Sequence, residues 1–176
     1  YLFLDGARLG YGLAAPDNDL TLPEIAALCD VFYIGGTKVG ALFGEAVVIK
    51  NPELAQDFRY LIKQNGGMLA KGRLLGLQFD ALFTDGLYQE ISAHAIAMAE
   101  KLREAFTAKG YNYLAPNRTN QIFVIVPDAH LAKISEQFEY SYDQRIDATH
   151  SCVRFCTGWA TKEENVDALI RCVEKL

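Results

Sequence analysis

The sequence predicts an α/β fold followed by a smaller α+β portion. Short, continuous apolar runs alternate with amphipathic stretches in the first half, and the pattern changes after Gly110. At 176 residues, the chain is long enough for one medium domain or for one and a half small ones. Its hydrophobic fraction of 51% and charged fraction of 22% are those of an ordinary globular protein.

The first elements alternate between strand and helix. Residues 2–4 form an apolar run that is typical of a strand covered on both faces. A helix is predicted over residues 23–28, because Thr21 can cap it and Pro23 suits its first turn. Strands follow at residues 30–34 and 45–50. This order predicts a parallel sheet.

Three helices are predicted next. The first covers residues 52–64 and stops at Asn65-Gly66-Gly67, and the second covers residues 69–83. Asp85-Gly86 interrupts the pattern, and residues 87–109 then form a long amphipathic helix. We place a domain boundary here, with residues 1–86 in the larger domain and residues 87–176 in the long helix and a smaller domain.

The smaller domain mixes strands and helices. Strands are predicted at residues 111–114, 121–126 and 152–156, and helices at residues 129–138 and 162–175. Such a mixture at this scale is typical of a small α+β domain.

The composition argues against several classes of function. A net charge of -5 with no basic run does not favour a nucleic-acid partner. No apolar stretch approaches the roughly 20 residues that a bilayer-spanning helix needs. The four cysteines are scattered without metal-ligand spacing, so we expect reduced thiols, no metal site and a cytoplasmic location.

Lys38 and Asp5 are the strongest candidates for catalytic residues. Each follows an apolar strand, and the carboxyl ends of neighbouring parallel strands meet at one edge of a sheet. Pyridoxal 5'-phosphate (PLP) needs a lysine for its Schiff base and a carboxylate that keeps its pyridine nitrogen protonated. The alternatives are a surface lysine in a glycine-rich turn for Lys38 and a turn former or helix cap for Asp5.

Other residues could hold anionic groups. Thr37, next to Lys38, offers a hydroxyl to a phosphate, and Arg8 follows Asp5 by three residues. Arg154 lies among apolar residues of a strand, so it needs an anion: either a substrate carboxylate or a structural Asp or Glu. A further basic group near Gly66 is more typical of a solvated helix face; it consists of Lys63, Lys71 and Arg73.

Several segments resemble the L-threonine aldolase and aromatic β-eliminating lyase family, which are fold-type-I PLP enzymes. The resemblance covers essentially the whole chain, and its most specific parts are Asp5-Gly6-Ala7-Arg8 and Gly35-Gly36-Thr37-Lys38. It implies that Lys38 carries the Schiff base, that Asp5 pairs with the pyridine nitrogen, and that Arg8 and Arg154 hold the substrate carboxylate. It also implies a large PLP domain, a small C-terminal domain, and a homodimer or homotetramer.

The resemblance does not fix the substrate or supply every residue of the active site. Phe3, Val39 and Gly158 differ from residues that many members carry. The chain also opens in the middle of a predicted strand, so we expect it to be the C-terminal portion of a longer polypeptide. The N-terminal half of that polypeptide would complete the active site, and this portion alone is expected to be inactive.

The resemblance implies cleavage of a β-hydroxy-α-amino acid, such as threonine or allo-threonine, to glycine and an aldehyde. β-Elimination or transamination of another amino acid uses the same lysine, aspartate and arginine, and stays open. A third hypothesis is a truncated domain that binds a partner and performs no chemistry.

Overall fold

The computed structural model describes all residues, 1–176, and the chain forms two compact units. The first unit consists of residues 1–13 and 18–92, and the second of residues 14–17 and 93–176. No helix is both long enough and apolar enough to cross a bilayer. All four cysteines are free thiols, and no group of His, Cys, Asp or Glu side chains could hold a metal ion.

The first unit contains a three-stranded mixed sheet. Its strands, in spatial order, are β1 (Phe3–Leu4), β2 (Val31–Gly35) and β3 (Glu45–Ile49). β1 pairs with β2 in parallel, with Leu4 beside Phe32. β3 differs from the expectation of a parallel sheet, because it pairs antiparallel with β2. Residues 36–44 connect β2 to β3, and this link is shorter than the roughly dozen residues that a parallel crossover requires.

Short helices accompany this sheet. They are α1 (Leu9–Leu13), α2 (Leu22–Leu28), α3 (Pro52–Ala55), α4 (Phe58–Gln64) and α5 (Arg73–Phe83). α1 was not predicted, because Gly10 and Gly12 are typical of a loop. The helix expected over residues 52–64 is divided at Asp57, whose φ of 57° lies in the left-handed region. A long helix, α6 (Leu87–Ala108), then begins in the first unit and continues into the second.

The second unit has a four-stranded antiparallel sheet with two further helices. The strands are β4 (Asn112–Tyr113), β5 (Gln121–Pro127), β6 (Ser141–Arg145) and β7 (His150–Cys156), in the spatial order β4-β5-β7-β6. The helices are α7 (Asp128–Ile134) and α8 (Glu163–Glu174). β6 was not predicted, because all five of its residues are exposed and none of the alternation that marks a strand is present.

The core of the second unit lies between this sheet and the helices. On β5, buried and half-buried residues alternate, and Ile122, Val124 and Val126 are completely buried. Leu102 and Phe106 of α6 belong to the same cluster. This alternation places every second side chain of β5 against the helices, as expected for a sheet with one covered face.

Candidate functional site

Asp5 lies at the end of β1, and its side chain is exposed. Its Oδ1 accepts a hydrogen bond from the Ala7 N–H at 3.0 Å and another from the Tyr33 hydroxyl. Its Oδ2 makes no hydrogen bond. The Tyr33 hydrogen bond, followed by the Ala7 N–H, holds the pKa of Asp5 below its ordinary value, and the positive charges of Lys38 and Arg8 act in the same direction. Asp5 is therefore an ionised acceptor at neutral pH.

Lys38 lies in the turn that follows β2, and its side chain is exposed. Its ammonium group forms neither a salt bridge nor a hydrogen bond, so it is available to an incoming ligand. The backbone of the turn is fixed, because the Val39 N–H donates to the Gly36 carbonyl at 2.9 Å and the Tyr11 hydroxyl donates to the Lys38 carbonyl. Thr37 is also exposed, and its hydroxyl has no partner within the chain.

Glycines allow the β1–α1 turn to lie directly against β2. The Gly35 N–H donates to the Gly6 carbonyl at 2.9 Å. A Cβ atom at Gly6 would lie 1.6 Å from the Tyr33 carbonyl oxygen, and one at Gly35 would lie 2.4 Å from the Ala7 carbonyl oxygen. Neither position can accept a larger side chain without moving the backbone, so these glycines are required for Asp5 to lie near Lys38.

Tyr88 of α6 connects the same two segments. Its buried hydroxyl accepts from the Gly10 N–H at 3.0 Å and donates to the Gly35 carbonyl at 3.2 Å. Burial raises the pKa of Tyr88 to about 12, so the hydroxyl keeps its proton. The Gly36 N–H is satisfied by Glu45, whose Oε2 accepts it at 3.0 Å.

Arg8 is half-buried just before α1, and its guanidinium has no ion pair within the chain. Its backbone carbonyl accepts from the Gly12 N–H at 3.0 Å, which begins the helical turn. The first unit thus brings together Asp5, Lys38, Thr37 and Arg8 around two adjacent strand ends. The basic residues near Gly66 are exposed and make no salt bridge; they are Lys63, Lys71 and Arg73.

Arg154 belongs to the second unit, on β7. Its Nη1 donates to Gln121 Oε1 at 3.3 Å, and its Nη2 lies 3.5 Å from Ser141 Oγ. The guanidinium carbon lies 6.0 Å from the centre of the Phe123 ring, at the limit of a cation–π contact. Its Nε is buried without a hydrogen-bond partner.

No Asp or Glu of the chain pairs with Arg154, so the structural ion pair considered from the sequence is absent. Arg154 lines a cavity of about 400 Å³ together with Ser141, Cys156, Thr157 and Thr161. A cation with a buried, unpartnered N–H group on the wall of a cavity suits an anionic ligand.

The sequence predicted the charged residues of the site but not the tyrosines whose hydroxyls bond to them or to their segments. Tyr33 lies next to Asp5 because Leu4 pairs with Phe32 and the next position of each strand is Asp5 and Tyr33, a register that only the folded sheet establishes. Tyr11 and Tyr88 carried no signal either. Tyr11 is flanked by glycines that are typical of a loop, and Tyr88 is far from the site in sequence.

The residues of the first unit fit PLP by the chemistry of their groups. An ionised carboxylate with one free oxygen suits a protonated ring nitrogen, and an unpaired primary amine suits an aldehyde. A free hydroxyl at Thr37 and a guanidinium at Arg8 are donors for anionic oxygens.

Comparison with known proteins finds relatives over nearly the whole chain. The chain is 30% identical over 172 residues to a low specificity L-threonine aldolase of Pseudomonas sp. (strain NCIMB 10558). This alignment covers 96% of this chain and 48% of that relative. The solved structure of Leishmania major threonine aldolase matches 99% of this chain and 51% of its own, with 42% identity and a TM-score of 0.97. The chain thus spans about half the length of these relatives. No model of a known protein family matches it.

A more distant match concerns the fold alone. Tryptophan decarboxylase of Catharanthus roseus is 14% identical to this chain, with a TM-score of 0.71 over 99% of this chain and 42% of its own. Together these structures confirm the predicted fold class, the partial fold of a fold-type-I PLP enzyme.

Proposed function

From the membership of this chain in the L-threonine aldolase and β-eliminating lyase family of fold-type-I enzymes, we propose that the complete protein is a PLP-dependent aldehyde-lyase. It cleaves the Cα–Cβ bond of a β-hydroxy-α-amino acid, threonine or allo-threonine, and releases glycine and an aldehyde. The observation that carries the proposal is the ionised Asp5 beside the unpaired Lys38 at the ends of two parallel strands.

The residues of the site bind the cofactor, and Arg8 also binds the substrate. Lys38 supplies the primary amine that binds the cofactor aldehyde, and Asp5 accepts the ring N–H through Oδ2. Thr37 and Arg8 donate to anionic oxygens of the cofactor. PLP, when bound, supplies an electron sink that accepts the electron pair of the broken bond.

Arg8 and Arg154 bind the carboxylate of the substrate. Two facts about Arg154 support this role: it has no carboxylate partner of its own, and its Nε lacks a hydrogen bond. A guanidinium presents two parallel N–H groups to a carboxylate, which fixes the orientation of the bound amino acid as well as its position. Correct orientation of the Cα–Cβ bond is itself a large part of the rate.

The complete protein includes an N-terminal half and forms a homodimer or homotetramer. The length of the relatives, about twice that of this chain, supports the first of these statements, and the family supports the second. We also propose a division of the chain at residue 86 into a portion of the PLP domain and a C-terminal domain. The four free thiols favour the cytoplasm.

Product analysis with the full-length protein tests the function. Glycine and acetaldehyde from threonine or allo-threonine are the expected products, whereas pyruvate and ammonia from tyrosine, tryptophan or cysteine would indicate β-elimination instead. Borohydride reduction followed by peptide mass mapping is expected to place the cofactor on Lys38. A label on another lysine, or a protein that takes up no PLP, would contradict the proposal.

A further inference from the structure

Tyr33 is the residue of β2 that lies beside Asp5. In the parallel register, Phe3 pairs with Val31 and Leu4 with Phe32, so the next position of each strand places Asp5 next to Tyr33. Side chains at paired positions of neighbouring strands project from the same face of a sheet. The Tyr33 hydroxyl accordingly reaches the carboxylate and donates to Oδ1.

The two hydrogen bonds on Asp5 converge on the same oxygen. The Ala7 N–H donates to Oδ1 at 3.0 Å, the Tyr33 hydroxyl donates to Oδ1 as well, and Oδ2 receives neither. Rotation of an aspartate carboxylate about its terminal bond is broad and roughly two-fold, so an unrestrained Asp5 would exchange its two oxygens readily. Two donors on one oxygen remove this freedom and leave the other oxygen to face a ligand.

Tyr33 acts as a donor in this pair. Its hydrogen bond to Asp5 is the main cause that raises the pKa of Tyr33 to about 12, so the hydroxyl keeps its proton at neutral pH. The ring is supported by Phe3, whose centre lies 6.1 Å away at an interplanar angle of 36°. This tilted aromatic contact limits how far the phenol can swing away from Asp5.

We propose that Tyr33 is a positioning residue: its hydroxyl holds Oδ1 of Asp5 so that Oδ2 alone is presented to the protonated ring nitrogen of the cofactor. The inference rests on the proposed function, because it requires PLP at Asp5. Tyr33 does not touch the reacting atoms. Its hydroxyl affects only the contact between the Asp5 carboxylate and the ring nitrogen, so removing it should weaken cofactor binding rather than lower the stability of the fold.

The test uses the full-length protein and Tyr33→Phe, which keeps the ring and removes only the hydroxyl. Dissociation constants are measured by equilibrium dialysis for PLP and for 1-deaza-PLP, which has a carbon in place of the ring nitrogen. We expect Tyr33→Phe to bind PLP about 3- to 10-fold more weakly, as expected for the loss of one positioning hydrogen bond. Its affinity for the deaza analogue should be unchanged, because that ligand offers no N–H to Oδ2.

Tyr111→Phe is the matched control. It also removes a tyrosine hydroxyl that is hydrogen-bonded to a titratable side chain, since the Tyr111 oxygen lies 2.7 Å from His130 Nδ1 in the second unit. We expect it to leave both dissociation constants unchanged. Thermal unfolding of each variant without cofactor establishes that it is folded before binding is compared.

A second readout does not involve the cofactor. In the cofactor-free protein with ¹³C-labelled aspartate, the pKa of Asp5 should rise in Tyr33→Phe, because the hydrogen bond that contributes most to lowering it is lost. Equal weakening of PLP and deaza-PLP, or unchanged PLP binding, would overturn the inference alone. Failure of the unsubstituted protein to bind PLP would overturn the proposed function and the inference together.

Discussion

In the second unit, apolar side chains hold the structure together, whereas the segments that carry Asp5 and Lys38 in the first unit are also joined by close packing at glycines and by tyrosine hydroxyls. Phe106, Ile122 and Val153 have no exposed surface. In the first unit, the segments that carry the site meet through backbone groups and through Tyr11 and Tyr88. The difference shows that a core tolerates apolar substitutions that keep its volume, whereas a site held by hydrogen bonds depends on a few individual atoms.

The largest effect is expected at Lys38. Lys38→Ala should lower the rate of glycine formation from threonine by at least on the order of 10³-fold, because the amine that binds the cofactor is lost. Stability should change by less than about 0.5 kcal/mol, since the side chain is exposed and makes no contact that the fold needs.

Lys50→Ala is the control for Lys38→Ala. Lys50 is also exposed and follows a neighbouring strand, and its side chain has no ion pair. Activity is measured by glycine release, and stability by thermal unfolding. A variant of Lys38 that retained more than about a tenth of the activity would be incompatible with the catalytic role given to it.

The second unit is tested by Leu102→Ala. Leu102 is 4% exposed in the core, so its truncation should lower the free energy of unfolding by about 2–5 kcal/mol. Leu114→Ala removes the same atoms from a residue that is 40% exposed, and should cost less than about 1.5 kcal/mol. Urea denaturation measures the free energy of unfolding of both variants, and hydrogen exchange shows which residues lose protection. Equal losses in the two variants would mean that core packing is not the main source of stability in the second unit.

The polar contacts of the first unit are tested by Tyr88→Phe. The Gly10 N–H and the Gly35 carbonyl would lose their buried partner, so we expect a loss of about 1–3 kcal/mol although the ring is retained. Tyr142→Phe is the control, because Tyr142 is 62% exposed and its hydroxyl makes no hydrogen bond. Faster hydrogen exchange at Gly10 in the first variant only is the expected signature, and unchanged exchange would show that the hydroxyl is dispensable.

The contrast between the units also explains what the sequence could reveal. A continuous apolar run at residues 122–126 predicted β5 correctly, because a short apolar run rich in β-branched residues is typical of a buried strand. β6 was missed for the opposite reason: edge strands with charged and polar side chains carry no such pattern, and a bulge between Tyr142 and Gln144 interrupts the register.

At the site, the sequence predicted the residues that carry charge, because Asp5 and Lys38 each follow an apolar strand. It could not identify Tyr11 or Tyr88. Their role depends on which backbone carbonyl each hydroxyl reaches, and that is decided by tertiary packing rather than by local pattern. The antiparallel direction of β3 was missed in the same way, since its apolar composition suits either direction.

Arg154 combines both kinds of contact, because it is a charged side chain on β7 of the second unit, whose core is apolar. Arg154→Lys keeps the charge but loses the two parallel N–H groups, so we expect KM for threonine to rise about 10-fold with a smaller change in kcat. No ion pair within the chain is broken, so stability should be nearly unchanged. Arg118→Lys, on a residue that pairs with Glu100, should leave KM unaltered.

A competitive ligand without a carboxylate makes this prediction specific. The inhibition constant of 1-amino-2-propanol should be the same for Arg154→Lys and for the unsubstituted protein, because that ligand has no group for the guanidinium to bind. A change in this constant equal to the change in KM would mean that Arg154 shapes the cavity rather than reading the carboxylate. If Arg154→Lys lowered the free energy of unfolding as much as Leu102→Ala does, Arg154 would instead have a structural role in the core, because only a residue that the packing requires is so costly to replace.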